Sequence, residues 1–465
     1  YAGASIIEVD RADDLQIAND GGCDLRDAVT AANFNFAVGS CDAGETGNAD
    51  VIIITVPGPI QLENELDILA GVRITAPFNY NGKITIMAAA NERIFEVHPT
   101  SASSNNFELN KLRLVNGNPA AGDGGAVVFY RYNDTNLGQV YITDSVFEGN
   151  QAAKGGAIAF DDSHASDVTI LSSEFINNQA TDGAGGAISV DNATDGEMTL
   201  NYNLFQSNTA TTSGGAVFAA EGGELPFEFK RNQFFNNLSG TDGGAVSLWG
   251  IGGNQEYLLE RNAFVGNTAA SYGGALSANL WSRARVINSV MAFNMADRGG
   301  AMASISQAYI YLRFSTLAFN EANLGGHIYG YSGSLGTLSG NIMAHPIGAS
   351  NCAGDLNALS SNLSIYDDNS CPFNQSSDRQ EDPLLSGISY NEQDWPAFVP
   401  ASNSSAIDKI SDAACKDYNQ STVTVDAQNN PRPIDGNGDS NALCDIGAIE
   451  VPVGHDLIWS DGFGG

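Results

Sequence analysis

The sequence predicts an all-β solenoid, a right-handed parallel β-helix with a helical or loop cap at the N-terminal end and a disulfide-stapled cap at the C-terminal end. Three observations predict it: a Gly-Gly motif that recurs at steps of 26 to 31 residues, a Phe-x-x-Asn motif before most copies, and short runs of alternating apolar residues. A unit of this length cannot bury its apolar face alone. Stacked units, or rungs, must therefore share one core.

The Gly-Gly motif is followed in each copy by one further residue, usually alanine, and then by an apolar residue. Its copies begin at Gly124, Gly155, Gly185, Gly214, Gly243, Gly273, Gly299 and Gly325, and His327 replaces the small residue in the last copy. Glycine permits a sharp corner and leaves no Cβ to clash with the next rung.

The Phe-x-x-Asn motif lies five to seven residues before most of these glycines. Its copies pair Phe147 with Asn150, Phe175 with Asn178, Phe205 with Asn208, Phe234 with Asn237 and Phe264 with Asn267, and variants begin at Met291 and Leu317. We expect the rings to stack between rungs and the amides to bond to one another, as they do in stacked asparagine ladders. These residues are therefore predicted to be structural rather than catalytic.

The two ends of the chain lack the repeat and are predicted to be caps. Residues 1–50 are predicted to form an N-terminal cap with a helix around Leu25 to Asn33. A cover is expected at this end, because the exposed strands of an open first rung would favour aggregation. Residues 51–345 form the β-helix, with Gly-Gly rungs over 112–345, and residues 346–465 form late rungs, loops and a C-terminal cap with a tail. The final Gly464 and Gly465 suggest either a processing site or an ordinary terminus.

Net charge indicates which binding partners are disfavoured, and cysteine content indicates the cellular compartment. The chain has 20 Lys and Arg against 54 Asp and Glu, a net charge of −34, which disfavours nucleic acids and anionic membrane surfaces. No apolar run long enough to span a membrane occurs in the sequence. The cysteines form three sequential pairs without metal-site spacing and predict disulfides in an extracytoplasmic compartment: Cys23, Cys41, Cys352, Cys371, Cys415 and Cys444.

Three stretches resemble known bacterial families. The Gly-Gly-Ala and Phe-x-x-Asn pairing over about 112–345 resembles the repeat of polymorphic outer-membrane proteins, surface proteins with a right-handed parallel β-helix. The run Cys23-Asp24-Leu25-Arg26-Asp27-Ala28 resembles the CSLREA signature, with Asp in place of Ser and of Glu. The stretch from Asp426 to Glu450 is similar to a closing Asp-Ile-Gly-Ala-x-Glu element of secreted β-helix proteins. The resemblance implies this fold and a secreted or cell-surface location, without a common activity.

One loop suggests a metal ion. Oxygen-bearing side chains occur there at alternate positions, and a further carboxylate follows: Asp435, Asn437, Asp439, Asn441 and Asp445. Such spacing suits calcium, the single cofactor that the sequence suggests, although Ile446 occupies the position where an EF-hand loop has Glu. A plain turn is the alternative.

Two groups of outward side chains suggest contact with extracellular glycans or with components of a cell surface. Arg283 and Arg285 lie one rung before Tyr309 and Tyr311, and together they could bind an acidic sugar. The alternative is a solvated ladder in which Arg283 pairs with Glu256. Two tryptophans on the strand that follows Gly-Gly, or just after it, could act as sugar platforms: Trp249 and Trp281.

These patterns favour a binding or structural protein, an adhesin or a component of the extracellular matrix. A polysaccharide lyase or glycoside hydrolase is the alternative, although the sequence lacks the motifs of polygalacturonases and pectate lyases. A lyase would be expected to use His164, Asp161 and Arg283. A subunit of an extracellular filament is the third possibility, and the sequence does not predict an oligomeric state.

Overall fold

A computed structural model describes the chain except for residues 1–3, 15–20, 101–104, 133–134, 192–195, 222–226, 251–254, 333–334, 357, 372–374, 392–394 and 455–465. The predicted parallel β-helix is confirmed, because all strand pairs along the rod run parallel within the described residues. The hypothesis about Gly464 and Gly465 concerns residues outside the described part.

A complete rung runs through four segments, one in each of four sheets that extend along the rod. Within the described residues, the earliest and the latest rungs have no strand in the third sheet. Sheet 1 contains the longest strands: Ile6–Val9, Asp50–Ile54, Val72–Thr75, Phe107–Asn110, Gln139–Thr143, Asp167–Leu171, Met198–Asn201, Phe227–Lys230, Glu256–Glu260, Arg283–Ile287, Tyr309–Arg313, Leu335–Ser339 and Ala358–Asn362. Sheet 2 follows in each rung and carries the Phe motif: Ile60–Gln61, Ile84–Met87, Leu112–Val115, Val146–Glu148, Glu174–Ile176, Leu204–Gln206, Gln233–Phe235, Ala263–Val265, Val290–Ala292, Thr316–Ala318, Ile342–Ala344, Ile365–Tyr366 and Arg379–Gln380.

Sheets 3 and 4 complete the rung. Sheet 3 is short and lies between the Asn and Gly-Gly corners: Gln151–Ala152, Gln179–Ala180, Thr209–Ala210, Leu238–Ser239, Thr268–Ala269, Met295–Arg298 and Glu321–Leu324. Sheet 4 begins just after Gly-Gly in the repeat rungs: Leu66–Ile68, Phe95–Val97, Val127–Tyr130, Ile158–Asp161, Ile188–Asp191, Val217–Glu221, Val246–Gly250, Leu276–Asn279, Met302–Ser304, Ile328–Gly330 and Cys352–Gly354. One antiparallel pair, Ser389–Tyr390 with Pro396–Ala397, lies outside the four sheets.

The predicted N-terminal helix is present as Leu25–Phe34 and covers the first rungs. Asp24 is its N-cap, and its Oδ1 accepts a hydrogen bond from the Asp27 amide at 2.8 Å. Asp caps a helix about as well as the Ser that the resembled signature has at this position. The Cys23–Cys41 disulfide closes the loop around the helix, as predicted.

Phenylalanine rings of successive rungs stack in the core, as the motif predicts. Neighbouring centroids are 4.7 to 4.9 Å apart and the rings are within 8° of parallel, close to the spacing between strands: Phe147, Phe175, Phe205, Phe234 and Phe264. All five rings are fully buried. The stack therefore lines up one residue per rung along the rod.

The predicted asparagine ladder lies at the corner between sheets 2 and 3. The Asn208 Oδ1 accepts hydrogen bonds from both the backbone and the side-chain nitrogen of Asn178, each at 3.0 Å. The Asn208 Nδ2 donates to the Phe175 carbonyl at 2.9 Å and also to the next asparagine, Asn237, at 3.0 Å. Each amide therefore satisfies buried backbone groups as well as its two neighbours.

A second polar ladder lies at the corner between sheets 1 and 2, two positions before each Phe. Asn203, Asn232 and Asn262 repeat the same pattern, since each Oδ1 accepts from the preceding rung and each Nδ2 donates to a backbone carbonyl. Serines take the position in other rungs: Ser145, Ser173, Ser289 and Ser315. The extended motif is thus Ser/Asn-x-Phe-x-x-Asn.

The Gly-Gly corners leave no room for side chains, as the sequence predicts. At Gly214 the backbone has φ +69°, and a Cβ there would lie 2.4 Å from the Val217 carbonyl oxygen. At Gly215 a Cβ would lie 2.0 Å from the carbonyl oxygen of Gly244 in the next rung. The first glycine is therefore required by its backbone angle and the second by the close approach of the neighbouring rung.

His327, the exception in the Gly-Gly pattern, terminates the asparagine ladder. Its Nε2 is 3.0 Å from the Ala344 carbonyl oxygen and must donate the proton, so its Nδ1 accepts from the Asn320 side chain at 3.1 Å. Asn320 is the last asparagine of this ladder, and the imidazole nitrogen replaces the oxygen that a further asparagine would offer. His327 is therefore buried in the neutral form.

The C-terminal segment, residues 381–391 and 395–454, folds back along the outside of the rod. The Tyr418 hydroxyl donates to the Val286 carbonyl at 2.8 Å, and the Gly447 amide donates to the Gly340 carbonyl at 2.8 Å. The segment contains the Cys415–Cys444 disulfide, and the Cys352–Cys371 disulfide precedes it. The predicted sequential pairing is therefore confirmed, and the stapled cap covers a flank of the rod.

A buried ion pair holds this segment in place. Arg432 pairs with Glu450, and both side chains are fully buried. The Arg432 guanidinium also donates to Asn288 Oδ1 at 2.8 Å and to the Gly447 carbonyl at 2.9 Å, and it lies over the Phe314 ring. The stretch that resembles a closing element therefore attaches the segment to the rungs.

Asn208→Ala should destabilise the fold strongly. The substitution leaves the Asn178 amide and the Phe175 carbonyl buried without these partners, which should lower the free energy of unfolding by about 2–4 kcal/mol. Denaturant titration measures the change. Gln206→Ala on the exposed side of the same rung is the control and should change it by less than about 0.5 kcal/mol. Equal effects of the two substitutions would contradict the role of the ladder.

Stability should fall in mild acid because of His327. Burial lowers the pKa of His327 to about 4, whereas an unfolded histidine has a pKa of about 6.5. Between these values the unfolded chain binds a proton that the folded chain does not, so the free energy of unfolding should drop by up to about 3 kcal/mol as the pH falls. His327→Ala should show a flatter pH dependence in denaturant titrations. An unchanged slope would contradict the assignment.

Candidate functional site

The predicted arginine and tyrosine patch is assembled on the outer face of sheet 1. Arg283 is the register partner of Tyr309, and Arg285 is the register partner of Tyr311. The two guanidinium carbons lie 5.5 and 5.9 Å from the respective ring centroids, within range of cation–π attraction. The tyrosine rings themselves lie 6.4 Å apart and nearly parallel. The four side chains therefore form one surface.

Half of this patch contacts the C-terminal segment. The Tyr418 ring lies 5.8 Å from the Arg285 guanidinium and meets the Tyr311 ring edge-on at 5.9 Å. Arg285 also forms an ion pair with Glu256. In the ladder alternative we expected Arg283 to pair with Glu256. The two residues are register partners, the ion pair of Glu256 is with Arg285, and the Arg283 guanidinium lies over Tyr309. Acidic-sugar binding by the patch stays a prediction.

The two predicted tryptophan platforms lie on neighbouring rungs near this patch. Trp281 is half exposed and precedes Arg283 by two residues, at the corner between sheets 4 and 1. Trp249 is only partly exposed, since its Nε1 donates to Ser247 at 3.2 Å and its ring packs edge-on against Phe218. Trp281 therefore offers more open ring surface than Trp249.

The predicted lyase residues do not form one site. His164 lies 3.0 Å from Asp162, and Asp161 is the register partner of Asp191 on sheet 4. Arg283 lies four rungs further along sheet 1, which separates it from His164 by roughly 19 Å along the rod at about 4.8 Å per rung. A single catalytic centre cannot use all three predicted groups.

The residues of the predicted calcium loop lie in two environments: Asn437, Asp439 and Asn441 are in an exposed turn, whereas Asp445 is buried inside the C-terminal segment. Asp435 Oδ1 and Oδ2 accept hydrogen bonds from the Gly438 and Ser440 amides, and Asn437 and Asp439 likewise accept from amides two residues on. Asp445 is fully buried, and both its oxygens accept from backbone amides. Burial, and then the nearby Glu450, raises the pKa of Asp445. Calcium binding by Asp435, Asn437, Asp439, Asn441 and Asp445 stays a prediction.

A groove that the sequence analysis missed lies between the flank of the rod and the C-terminal segment. Its volume is about 480 Å³. The rod supplies one wall and the segment the other: Ser172, Ser173, Glu174, Tyr202, Asn203, Leu204, Arg231 and Gln233 face Asn391, Trp395, Ala427, Gln428 and Asn429.

The groove combines aromatic rings with amide and charged side chains. Tyr202 is half exposed, and the Arg231 guanidinium lies 5.0 Å from its ring centroid. Opposite them, Trp395 is 8% exposed, and its buried Nε1 has no hydrogen-bond partner among the described residues. Such orphaned donors are rare, since a buried N–H without an acceptor costs about 1–3 kcal/mol.

Long-range contacts close the end of the groove. Arg231 precedes Asn429 by 198 residues in the sequence and donates a hydrogen bond to its side-chain oxygen. Arg261 donates to the same oxygen at 3.2 Å. One part of this site had a sequence signal. Tyr202, Arg231 and Arg261 each lie three positions before the Phe of their rung and share a left-handed backbone conformation.

The chain was compared with protein families, with curated proteins and with solved structures. Within the described residues, no helix is long and apolar enough to cross a membrane. No curated protein matches the chain. Among solved structures, the crystal structure of pectate lyase Pel9A aligns with a TM-score of 0.35 and 14% identity, over 86% of this chain and 88% of that chain. Residues 144–161 and 204–220 match the Chlamydia polymorphic membrane protein (Chlamydia_PMP) repeat, and the chain therefore carries the repeat that the sequence pattern predicted.

Proposed function

We propose that this chain is a secreted or surface-displayed bacterial binding protein that contacts glycans in the groove between Tyr202 and Trp395. The groove itself is the observation that carries the proposal, because the half-exposed Tyr202 ring lies there beside the Arg231 guanidinium and faces the amide side chains of the C-terminal segment. Aromatic rings flanked by amides and a guanidinium are the chemistry that recognises the apolar face and the hydroxyl groups of a sugar.

The rod supports a role in adhesion or in an extracellular matrix. Its stacked rungs hold outward side chains at fixed intervals, so that several weak contacts can act together on an extended polymer. Three disulfides favour an oxidising compartment outside the cytoplasm, and the polymorphic membrane protein repeat supports display at a bacterial surface.

Tyr202→Ala should weaken glycan binding without unfolding the protein. The ring is half exposed, so its loss removes a stacking surface and leaves the core intact. On a panel of bacterial and host glycans, we expect the native chain to retain a subset and Tyr202→Ala to bind that subset at least about tenfold more weakly, a loss of about 1.4 kcal/mol. Titration calorimetry with the best ligand measures the difference.

Tyr331→Ala is the matched control, because Tyr331 has a similar exposure and lies outside the groove. Equal binding by native protein and Tyr202→Ala would contradict the proposed site. Turnover of a retained uronate polysaccharide, seen as unsaturated or reducing ends, would instead support the polysaccharide lyase or hydrolase alternative. Ordered polymers in micrographs of native material, without glycan retention, would support a filament subunit.

A further inference from the structure

We propose that Asp67, Glu96 and His98 form a binding site for a divalent transition-metal ion such as zinc. The site lies on the outer surface of sheet 4 near the N-terminal end of the rod. It is separate from the glycan groove and from the predicted calcium loop, and it does not depend on the proposed function.

Register in the early rungs brings these three side chains together. Asp67 and Glu96 are register partners on adjacent strands, Leu66–Ile68 and Phe95–Val97, and His98 follows the second strand directly. His98 Nε2 lies 3.8 Å from Asp67 Oδ1 and 3.7 Å from Glu96 Oε1. All three donor atoms fall within 4.8 Å of one another. Ligands about 2.1 Å from a shared tetrahedral ion would be separated by about 3.4 Å, so only small movements are needed.

Neighbouring side chains already hold two of the ligands in position. The His98 ring stacks on Tyr130 with centroids 5.0 Å apart and the planes within 8° of parallel. The Tyr130 hydroxyl donates to Glu96 Oε1, and Arg93 donates to Glu96 Oε2 at 2.9 Å. Glu96 Oε1 keeps a second lone pair for an ion.

The local charge also suits a cation. Arg93 pairs with both Glu65 and Glu96 at 2.9 Å, which leaves two uncompensated negative charges among Glu65, Asp67 and Glu96 against the one guanidinium. The Asp67 side chain is 59% exposed, so an ion can enter from solvent and keep water in its remaining coordination positions.

The ligand set selects the class of ion. An imidazole with two carboxylates suits zinc and other first-row transition ions, whereas calcium prefers six or more oxygens and rarely takes histidine. The site is thus expected to prefer zinc to calcium. A loop with only oxygen ligands, such as the predicted calcium loop, would have the opposite preference.

Zinc binding to the full chain tests the site. We expect calorimetry to show one tight equivalent of zinc for the native protein, and Asp67→Asn and His98→Gln to weaken it by more than about tenfold, since even partners of a ligand change metal affinity by about 10- to 100-fold. Asp67 is mostly exposed, so Asp67→Asn should keep the fold. If His98→Gln fails to fold, the zinc affinity of Asp67→Asn decides the result.

His164→Gln is the matched control, because His164 follows a strand of the same sheet and lies 3.0 Å from Asp162, while among the described residues a group of three metal-ligating side chains occurs only at Asp67, Glu96 and His98. It should bind zinc like the native chain. The proposal is overturned if Asp67→Asn binds zinc as tightly as native protein, if His164→Gln loses the site equally, or if an equal concentration of calcium displaces the zinc.

Discussion

Hydrogen bonds between buried asparagine side chains of successive rungs are the interaction on which the rest of the structure depends. Each amide satisfies backbone groups that the corners of the rung would otherwise leave unpaired in the core. A slip of one residue would break both polar ladders and misalign the phenylalanine stack between them. The ladders therefore fix the register, and the glycine corners then allow the rungs to approach closely.

A fixed register determines what the outer surface can do. Residues distant in sequence become neighbours at one strand spacing, as Asp67 and Glu96 do on sheet 4 and Arg283 and Tyr309 do on sheet 1. The C-terminal segment adds a second wall, anchored by the buried pair of Arg432 and Glu450, and this wall turns a column of side chains into a groove. Binding sites here thus arise either along a column or between the rod and the segment.

The sequence was sufficient for the fold because its repeated residues are those that the stacking requires. Gly-Gly, Phe and Asn predict the corners, the ring stack and the first ladder. The motif also predicts that His327 lies at a Gly-Gly corner, but its contact with Asn320 depends on the three-dimensional packing of two rungs. The second ladder has a weaker signal, because Ser and Asn both occur two positions before the Phe, and the serines donate within their own rung whereas the asparagines donate to the preceding one. The groove was not predictable, because nothing local to Trp395 indicates that it folds back against Tyr202. The Asp67 cluster lies in rungs without the Gly-Gly signature, so their register could not be counted from the sequence.

Amide hydrogen exchange at the asparagine corners tests this account most directly, because their backbone N–H groups bond to side chains of the next rung rather than to strand carbonyls. If the ladders fix the register, the amides of Asn178 and Asn208 should exchange as slowly as those of the central sheet 1 strands, through unfolding of whole rungs. Exchange at these corners as fast as in exposed turns, while sheet 1 stays protected, would contradict it.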